Sequence, residues 1–368
     1  MHIERIELKN FRNYTHAEVH PCEGITIFLG DNAQGKTNIL ESVFLCCTGR
    51  SHRTTHDREL IKNGEEHAGV QLRCQRLDGS HDVELRFHLQ ERRQVKIAGQ
   101  TVSRSGELMG HVTGVLFSPE DLRMVKDGPA ERRRFIDMEL SQLKPSYYYA
   151  LQRYNRALKQ RNLLLKQVLE HPALQDTLLP WEEQLAAAGA QIMSERRRFL
   201  HELNITAADT HAHVSGGRET LNVVYQPNLI TEATDAQIKD ALMQAYNASR
   251  SQDLRRVTTT VGPHRDDVKM LVNGLDVRIY GSQGQQRTTA LSLKLSELTV
   301  MHAELGEWPV LMLDDVMSEL DPERRRHLLS RLEGVQTLVT CTDRDDLAGA
   351  HAGKIYRVDR ASLSDVPV

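Results

Sequence analysis

GDNAQGKTNILE, residues 30–41, is the most informative stretch of the chain. Its first eight residues match the pattern GxxxxGK[ST] in full. They follow GITIFLG (24–30), a continuous apolar run that predicts a buried β-strand, and they lead into NILESVFLCC (38–47), which predicts a helix. A strand, a glycine-rich loop and a helix in this order predict an α/β protein with a phosphate-binding loop.

Each part of this loop has a predicted role in holding ATP and its Mg²⁺ ion. Backbone N–H groups would surround the β-phosphate, Lys36 would bridge β- and γ-phosphate oxygens, and Thr37 would ligate Mg²⁺. We therefore also predict Lys36 as a catalytic residue. The predicted nucleotide-binding residues of the loop are Gly30, Asp31, Asn32, Ala33, Gln34, Gly35, Lys36, Thr37 and Asn38.

A second, acidic motif would complete this site. VLMLDD (310–315) places four apolar residues before two aspartates, which predicts a buried strand with carboxylates at its C-terminal end. A phosphate-loop enzyme needs its second Mg²⁺ contact at that position. We predict that Asp314 ligates the metal and that Asp315 is catalytic, because it could orient or deprotonate the attacking water.

GSQGQQRTTALSLKL (281–295) predicts a further phosphate-binding turn. A serine, glycines and glutamines precede a predicted helix, whose N-terminus would point at an anion. The chain therefore carries one such motif near each end. The residues predicted to contact nucleotide here are Ser282, Gly284 and Gln285.

The predicted elements divide the chain into two lobes. Residues 1–118 and 300–368 form an ATP-binding α/β lobe that holds the phosphate loop and the acidic motif. Residues 119–299 form a mainly helical lobe, in which 145–205 predicts a short antiparallel helical hairpin. This lobe also contains two predicted strands, 257–272 and 275–280.

The bulk composition is that of an ordinary globular protein, with 39% hydrophobic and 26% charged residues among 368. No apolar run approaches the roughly 20 residues that span a bilayer. The N-terminus MHIERIELKN is charged where a signal peptide would be apolar, so we expect a cytoplasmic protein without a membrane partner. The five cysteines lack CxxC spacing, which argues against disulfides and zinc.

The order of the motifs resembles that of ABC-type ATPases. LKNFRNY (8–14) is similar to the start of the SMC/Rad-fifty-like branch of that superfamily. The resemblance narrows, within this branch, to bacterial recombination mediators at GRSHRT (49–54), SPEDLRMVKDGPAERRRFID (118–137), GPHRDD (262–267) and LMLDDVMSELD (311–321). It implies an α/β, ABC-ATPase-like head, in which a mainly helical second domain with the hairpin splits the P-loop sheet domain.

This resemblance implies an ATP-dependent homodimer. In such ATPases the signature helix caps the γ-phosphate bound to the other subunit, so the motif at Ser282 would act on the partner's ATP. Arg12 resembles an arginine that approaches nucleotide phosphates, and Ser318–Asp321 resembles the D-loop. Residues 50–53 either contact phosphate or DNA or form a polar loop without a ligand.

Three departures from the superfamily bear on activity. Asp315 stands where a glutamate is usual, which implies slow hydrolysis and ATP acting as a dimerisation switch. Residues 341–343 follow a predicted strand where a switch histidine is expected. No clear Q-loop glutamine follows VTGVLF (112–117), and Glu120 or Asp121 could stand in.

Within this branch the chain is similar to bacterial recombination mediators. That resemblance implies binding to double-stranded and gapped or single-strand-bearing DNA, weak DNA-stimulated ATPase activity, and RecA loading with RecO and RecR in gap repair, replication and the SOS response. The arginine runs 131–134 and 196–198 are the candidate DNA contacts. A transporter subunit is the alternative, disfavoured by Asp315 and by the large helical insertion. A third, a structural SMC-like tether, would need a longer hairpin.

Overall fold

The structure is a computed structural model that describes residues 1–230, 234–319, 322–330, 332–343 and 352–367. The chain divides into two compact units. The first comprises Met1–Leu122, Asp209–Glu219 and Arg287–Val368, and the second comprises Arg123–Ala208 and Thr220–Gln286. The first unit therefore includes 209–219 and 287–299, which the sequence analysis assigned to the helical lobe.

Most of the described strands lie toward the two ends of the chain. In order, they are β1 (His2–Phe11), β2 (Tyr14–Val19), β3 (Ile25–Leu29), β4 (His67–Arg76), β5 (Gly79–His88), β6 (Gln94–Ile97), β7 (Gln100–Val102), β8 (Gly114–Phe117), β9 (Leu221–Gln226), β10 (Asp267–Val272), β11 (Leu275–Asp276), β12 (Val310–Asp314), β13 (Thr337–Cys341), β14 (Ala352–Asp359) and β15 (Ser362–Val366).

The described helices are concentrated in the middle of the chain. They are α1 (Lys36–Thr48), α2 (Leu122–Lys126), α3 (Pro129–Leu143), α4 (Pro145–Glu170), α5 (Leu179–Val214), α6 (Asp235–Arg256), α7 (Val277–Tyr280), α8 (Gln283–Leu305) and α9 (Pro322–Ser330). Within the described part of the chain, none of them combines the length and apolar character needed to cross a bilayer.

The first unit contains a mixed sheet in the order β15-β14-β3-β13-β12-β8. Strands β14, β3, β13, β12 and β8 are parallel, and β15 is an antiparallel edge strand. All five residues of β12 and of β13 are buried, as expected for central strands of a parallel sheet. The β3 and β12 strands both neighbour β13, so their C-terminal ends meet at one edge of the sheet.

A second sheet of the first unit is antiparallel, in the order β2-β1-β4-β5-β6-β7. In β4, Val70, Leu72 and Cys74 are buried and alternate with more exposed positions. This period of two gives the sheet one apolar face and one polar face. The β4 and β5 strands form a hairpin, with Arg76 paired to Gly79.

The second unit contains the helical hairpin, formed by α4 and α5. Contacts between the two helices run from Arg161–Glu182 through Arg153–Gln191 to Tyr147–Arg196. Residue numbers rise along one helix as they fall along the other, so the two helices are antiparallel. The α5 helix has 36 residues and α4 has 26.

Two strand predictions in the second unit were wrong in part. Residues 257–266 are not a strand, because α6 continues to Arg256 and a 3-10 turn occupies Pro263–Arg265 before β10 begins. In 275–280 only two residues are strand, since the Asp276 side chain accepts from Arg278 N and starts α7. The strand β9 was not predicted at all, and it forms a small sheet with β10 and β11.

The GPHRDD loop (262–267) proves to be an internal anchor of the second unit. The buried carboxylate of Asp266 accepts hydrogen bonds from Arg196 at 3.0 Å and from the Tyr225 hydroxyl at 2.5 Å. The next residue, Asp267, accepts from Arg132 at 2.7 Å. Asp266, just before β10, and Asp267, its first residue, therefore tie this loop to α3, α5 and β9.

Candidate nucleotide-binding site

The glycine-rich loop joins β3 to α1 and surrounds the ammonium group of Lys36. Lys36 Nζ donates to the carbonyl oxygens of Gly30 at 2.5 Å and of Asp31 at 2.8 Å. Burial lowers the pKa of Lys36, and the carboxylates of Asp315 and Asp314 act in the opposite direction. The Lys36 ammonium would bind a phosphate more strongly than it binds these two carbonyls, because the phosphate oxygens carry a negative charge and the carbonyls are neutral.

The N-terminus of α1 opens toward the same loop. Gly35, at the cap position, has φ 117°, and no side chain among the described residues caps this helix end. Ala33 also has a positive φ of 62°. Left-handed residues turn successive N–H groups toward one point, and an uncapped helix N-terminus favours an anion there.

The turn between β1 and β2 braces one side of the loop. The Asn13 amide donates to Gln34 O at 3.1 Å, and the Tyr14 hydroxyl donates to Gly35 O at 3.2 Å. Asn38, a predicted nucleotide contact, donates from its amide to Asn13 Oδ1 at 2.8 Å. Sequence reasoning missed the bracing role of Asn13 and Tyr14, although both lie in the LKNFRNY motif.

The hairpin of β14 and β15 braces the other side. Arg360 N donates to Gln34 Oε1 at 2.7 Å, and Ala361 N donates to Gln34 O at 3.0 Å. A β-carbon on Gly30 would lie 2.2 Å from Val358 O, so β14 passes too close for any side chain at this position. The loop is thus held on both sides before any ligand binds.

Asp314 and Thr37 meet where the ends of β12 and β3 converge. The Thr37 hydroxyl donates to Asp314 Oδ1 at 2.9 Å, and the Thr340 hydroxyl, from the strand between them, donates to the same oxygen at 2.8 Å. Burial raises the pKa of Asp314, and the two hydroxyls oppose this effect. A buried carboxylate without a cation beside it is costly, and a divalent ion would relieve that cost.

This donor set fits Mg²⁺. The ion usually takes one or two protein oxygens and completes its shell with phosphates and water. One carboxylate and one hydroxyl beside a phosphate loop meet that description. Among the described residues there is no cluster of three His, Cys, Asp or Glu side chains that could hold a metal without a nucleotide.

Asp315 ends the acidic motif in an unusual backbone conformation. Its φ is 54°, in the left-handed region. Its N–H donates to Thr340 Oγ1 at 2.9 Å, and its carbonyl oxygen accepts from the Ser318 hydroxyl at 3.0 Å. Thr340 therefore contacts both acidic residues, a role that the sequence did not reveal. Leu320 and Asp321 of the predicted D-loop lie outside the described residues.

Arg12 is bound by the protein through each of its three guanidinium nitrogens. Its guanidinium binds both oxygens of Glu41 on α1, at 2.9 and 2.6 Å, and donates to Glu59 O at 2.8 Å. Glu41 is completely buried and also accepts from Ser51 at 2.5 Å. Arg53 lies 3.7 Å from Glu41 and bonds to Asn38 at 2.9 Å. The GRSHRT segment is thus tied to the phosphate-loop helix.

The two candidates for the Q-loop position differ in environment. Asp121 accepts from the backbone N of Ser118 at 2.7 Å, so it stabilises the turn after β8. Glu120 is exposed, and its charge raises the pKa of Asp314. The charge of His52 opposes this effect, because it lowers the pKa of Asp314.

The signature-like motif lies in the second unit and begins α8. Ser282 N donates to Gln285 Oε1 at 2.9 Å, and Gln285 N donates to Ser282 Oγ at 3.2 Å, which forms a reciprocal capping box. Gly281 leaves no room for a β-carbon, since Val277 O would lie 2.4 Å away. A serine hydroxyl that accepts one hydrogen bond keeps its own O–H as a donor.

The comparisons with known proteins agree with these motifs. The family model for the RecF/RecN/SMC N terminal domain matches residues 2–362. The DNA replication and repair protein RecF of Acetivibrio thermocellus is 44% identical over 347 residues, covering 94% of each chain. RecF of Lachnoclostridium phytofermentans is 43% identical over 365 residues, covering 99% of each chain. The chain belongs to the RecF family.

Solved structures extend this assignment to the fold. A RecF structure described as RecF-ATP in the RecFOR pathway is 36% identical, with a TM-score of 0.92 over 99% of this chain and 97% of the other. An Smc head domain from Pyrococcus furiosus is 17% identical, with a TM-score of 0.58 over 100% of this chain and 96% of the other, which shows a shared fold alone. The RecF-family chain therefore has the α/β, ABC-type head that the sequence predicted.

Proposed function

We propose that this RecF-family protein binds ATP with Mg²⁺, dimerises in response, and acts on DNA as a recombination mediator. The observation that carries the proposal is the hydrogen bond between Thr37 and Asp314 beside the open N-terminus of α1. It brings a hydroxyl, a carboxylate and backbone N–H groups to one place, as ATP with Mg²⁺ requires.

Each predicted residue has a defined task in this proposal. Residues 30–38 contact the phosphates through backbone N–H groups, and Lys36 exchanges its two carbonyl partners for phosphate oxygens. Thr37 and Asp314 hold the Mg²⁺, which neutralises phosphate charge when bound. Asp315 orients or deprotonates the attacking water. Arg12 supports this site through Glu41, since all three of its guanidinium nitrogens already have partners.

The dimer follows from the second phosphate-binding motif. The capping box fixes Ser282 and Gln285 at the N-terminus of α8 and leaves the serine O–H as a donor. We assign Ser282, Gly284 and Gln285 to the γ-phosphate of ATP bound by a second copy of the chain. ATP then joins two copies, and slow hydrolysis at Asp315 would release them.

The role on DNA is supported by relatives. RecF proteins with 43–44% identity are described as DNA replication and repair proteins. Two solved RecF structures with 36% identity, described as RecF-ATP and RecF-ATPrS, are described as recombination mediators of the RecFOR pathway. We propose that this chain likewise binds double-stranded and gapped DNA, with weak DNA-stimulated ATPase activity. It would act with RecO and RecR to load RecA.

Light scattering of the protein with and without ATP and Mg²⁺ tests the proposal. The wild type should double in mass with ATP, whereas Lys36→Arg and Ser282→Arg should stay monomeric. Ser251→Arg is the matched control, because Ser251 is an exposed serine in α6. A Ser282→Arg variant that dimerises as well as the wild type would contradict the role across the interface. ATP-dependent retention on duplex DNA separates the mediator from a transporter subunit.

A further inference from the structure

The helix α4 has an unusual charge distribution. From Pro145 to Leu169 it contains no Asp or Glu, and Glu170 is its last residue. The same stretch contains Arg153, Arg156, Lys159, Arg161 and Lys166. Surface helices of soluble proteins usually carry charges of both signs, so a helix of this length with cations alone along 25 positions calls for an explanation.

Four of these five cations are exposed along α4. Arg153, Arg156, Lys159 and Lys166 point away from the core, whereas Tyr154, Ala157, Arg161 and Leu165 are buried. Between Arg153 and Lys166 the helix rises about 20 Å. We call these four residues the α4 basic face.

Two carboxylates of the neighbouring helices are buried against α4. Arg161 is completely buried and pairs with Glu182 of α5 at 2.9 Å and with Asp253 of α6 at 2.7 Å. Glu182 also binds Arg250. Asp253 is the only acid in α6 after Asp240. These acids therefore neutralise the interior and leave the exposed cations of α4 without a described acidic partner.

More cations flank the α4 basic face. Arg255 and Arg256 are exposed at the end of α6, and Arg265 donates to Thr259 O at 3.1 Å. The Thr259 hydroxyl in turn donates to Asn162 Oδ1 on α4 at 2.7 Å. The loop that carries Arg265 therefore packs directly against α4 within the second unit.

One arginine in each of the two runs that looked most basic in the sequence is bound to carboxylates inside the protein. Arg132 is buried and binds Asp267, and Arg196 is buried and binds Asp137 and Asp266. Burial and these carboxylates explain both arginines as structural groups. The scattered cations of α4 are the better candidates for an external anion.

We propose that the α4 basic face, with Arg255, Arg256 and Arg265, binds the phosphate backbone of double-stranded DNA. A row of about 20 Å matches roughly six base-pair steps, because each strand of a duplex advances about 3.4 Å per phosphate. Between Arg153 and Lys166 the exposed residues include no aromatic side chain on which a base could stack, which favours duplex backbone over single strands. This inference rests on the proposed DNA function and assigns DNA binding to a particular surface of the second unit.

The test uses the full chain with ATP and Mg²⁺ and a fluorescent duplex of random sequence, followed by anisotropy from 50 to 300 mM salt. The test variant is Arg156→Ala/Lys159→Ala/Lys166→Ala. The control is Lys126→Ala/Lys239→Ala/Lys269→Ala, which removes equal charge from exposed positions on other elements of the same unit. The test variant should bind about tenfold or more weakly, and the slope of log affinity against log salt should fall by about one for each phosphate that the variant no longer neutralises.

The outcomes separate this inference from the proposed function. If the wild type binds the duplex and the test variant keeps its affinity and salt slope, the α4 basic face is not the DNA site. Equal weakening in the control variant would contradict it too, because the effect would then reflect net charge alone. A wild type that does not bind DNA would overturn the proposed function together with this inference.

A competitor distinguishes DNA from an acidic protein partner. Unlabelled duplex should displace the labelled duplex, whereas poly-glutamate at equal charge concentration should displace much less. Charge-reversal at one position, Lys159→Glu, should weaken duplex binding more than Lys159→Ala. Strong, α4-dependent displacement by poly-glutamate would assign the surface to an acidic protein and overturn the inference.

Discussion

The Thr37 hydroxyl donates to Asp314 Oδ1 at 2.9 Å, although the two residues are 277 positions apart in the chain. The contact exists because β13 lies between β3 and β12, and parallel strands bring their C-terminal ends to one edge. The proposed metal ligands are therefore assembled by the order of the strands, before ATP or Mg²⁺ arrives.

We expect the Thr37→Ala substitution to reduce ATP affinity only when Mg²⁺ is present. The loss should be about tenfold or more, since a hydrogen bond or ligand contact to a charged group contributes roughly 1.5–3 kcal/mol. Calorimetric titration with ATP in Mg²⁺ and in EDTA measures the difference. Thr206→Ala, at an exposed hydroxyl of α5, is the control. An equal loss in EDTA would argue against a metal role.

The Arg12–Glu41 pair should behave as one unit. Arg12→Ala leaves a fully buried carboxylate without its main partner, so we expect a loss of about 3–5 kcal/mol in the free energy of unfolding. The double substitution Arg12→Ala/Glu41→Gln should recover part of that loss, because no buried charge remains unpaired. Urea unfolding of all four combinations measures the coupling. Additive effects would show that the pair contributes little.

Acidification should destabilise the second unit through His264. Burial lowers the pKa of His264 from 6.5 to about 4, while the ring bonds to Tyr154 and Thr259 O. The native state then binds fewer protons than the unfolded state. The stabilising effect is complete above pH 6.5 and is lost as the pH falls toward 4.

His264→Gln is the non-titrating comparison, because an amide can both accept from Tyr154 and donate to Thr259 O. Between pH 7 and 4 the free energy of unfolding of the wild type should fall by roughly 2–3 kcal/mol relative to that of this variant. This magnitude follows because each pKa unit between the folded and unfolded states is equivalent to about 1.4 kcal/mol. Urea unfolding at a series of pH values gives the two curves. Parallel curves would mean that His264 is not the responsible group.

Gly30→Ala should destabilise the first unit, since the new β-carbon would lie 2.2 Å from Val358 O. Backbone atoms cannot move away as a flexible side chain can, so we expect the free energy of unfolding to fall by about 2 kcal/mol or more. Gly24→Ala is the matched control, because nothing lies within 4 Å of its β-carbon. Thermal unfolding should leave the control near the wild type. Equal melting temperatures for both variants would refute the close approach of β14.

The local motifs were the predictable part of this fold. The GxxxxGK[ST] loop and VLMLDD can each be recognised from a few consecutive residues. The strands around them are predicted by continuous apolar runs. Their meeting could be inferred from chemistry, because a nucleotide site needs both. The roles assigned to individual site residues remain predictions.

Long-range partners were the part that the sequence could not provide. Arg132 and Arg196 looked like members of exposed arginine runs, yet each is buried against carboxylates far along the chain. Arg12 likewise has a partner that the sequence did not indicate, Glu41, which is 29 positions away. A charged residue is exposed or buried according to contacts that only the tertiary structure brings together.

The backbone conformation at position 315 favours an aspartate there. At φ 54° the chain is in a region where Asp and Asn are better tolerated than most residues, because their short side chains can bond locally. An engineer who wished to accelerate hydrolysis by introducing a glutamate here would place a longer side chain on a strained backbone. In the role proposed for Asp315, a faster variant would require a redesigned strand end as well as a longer acid.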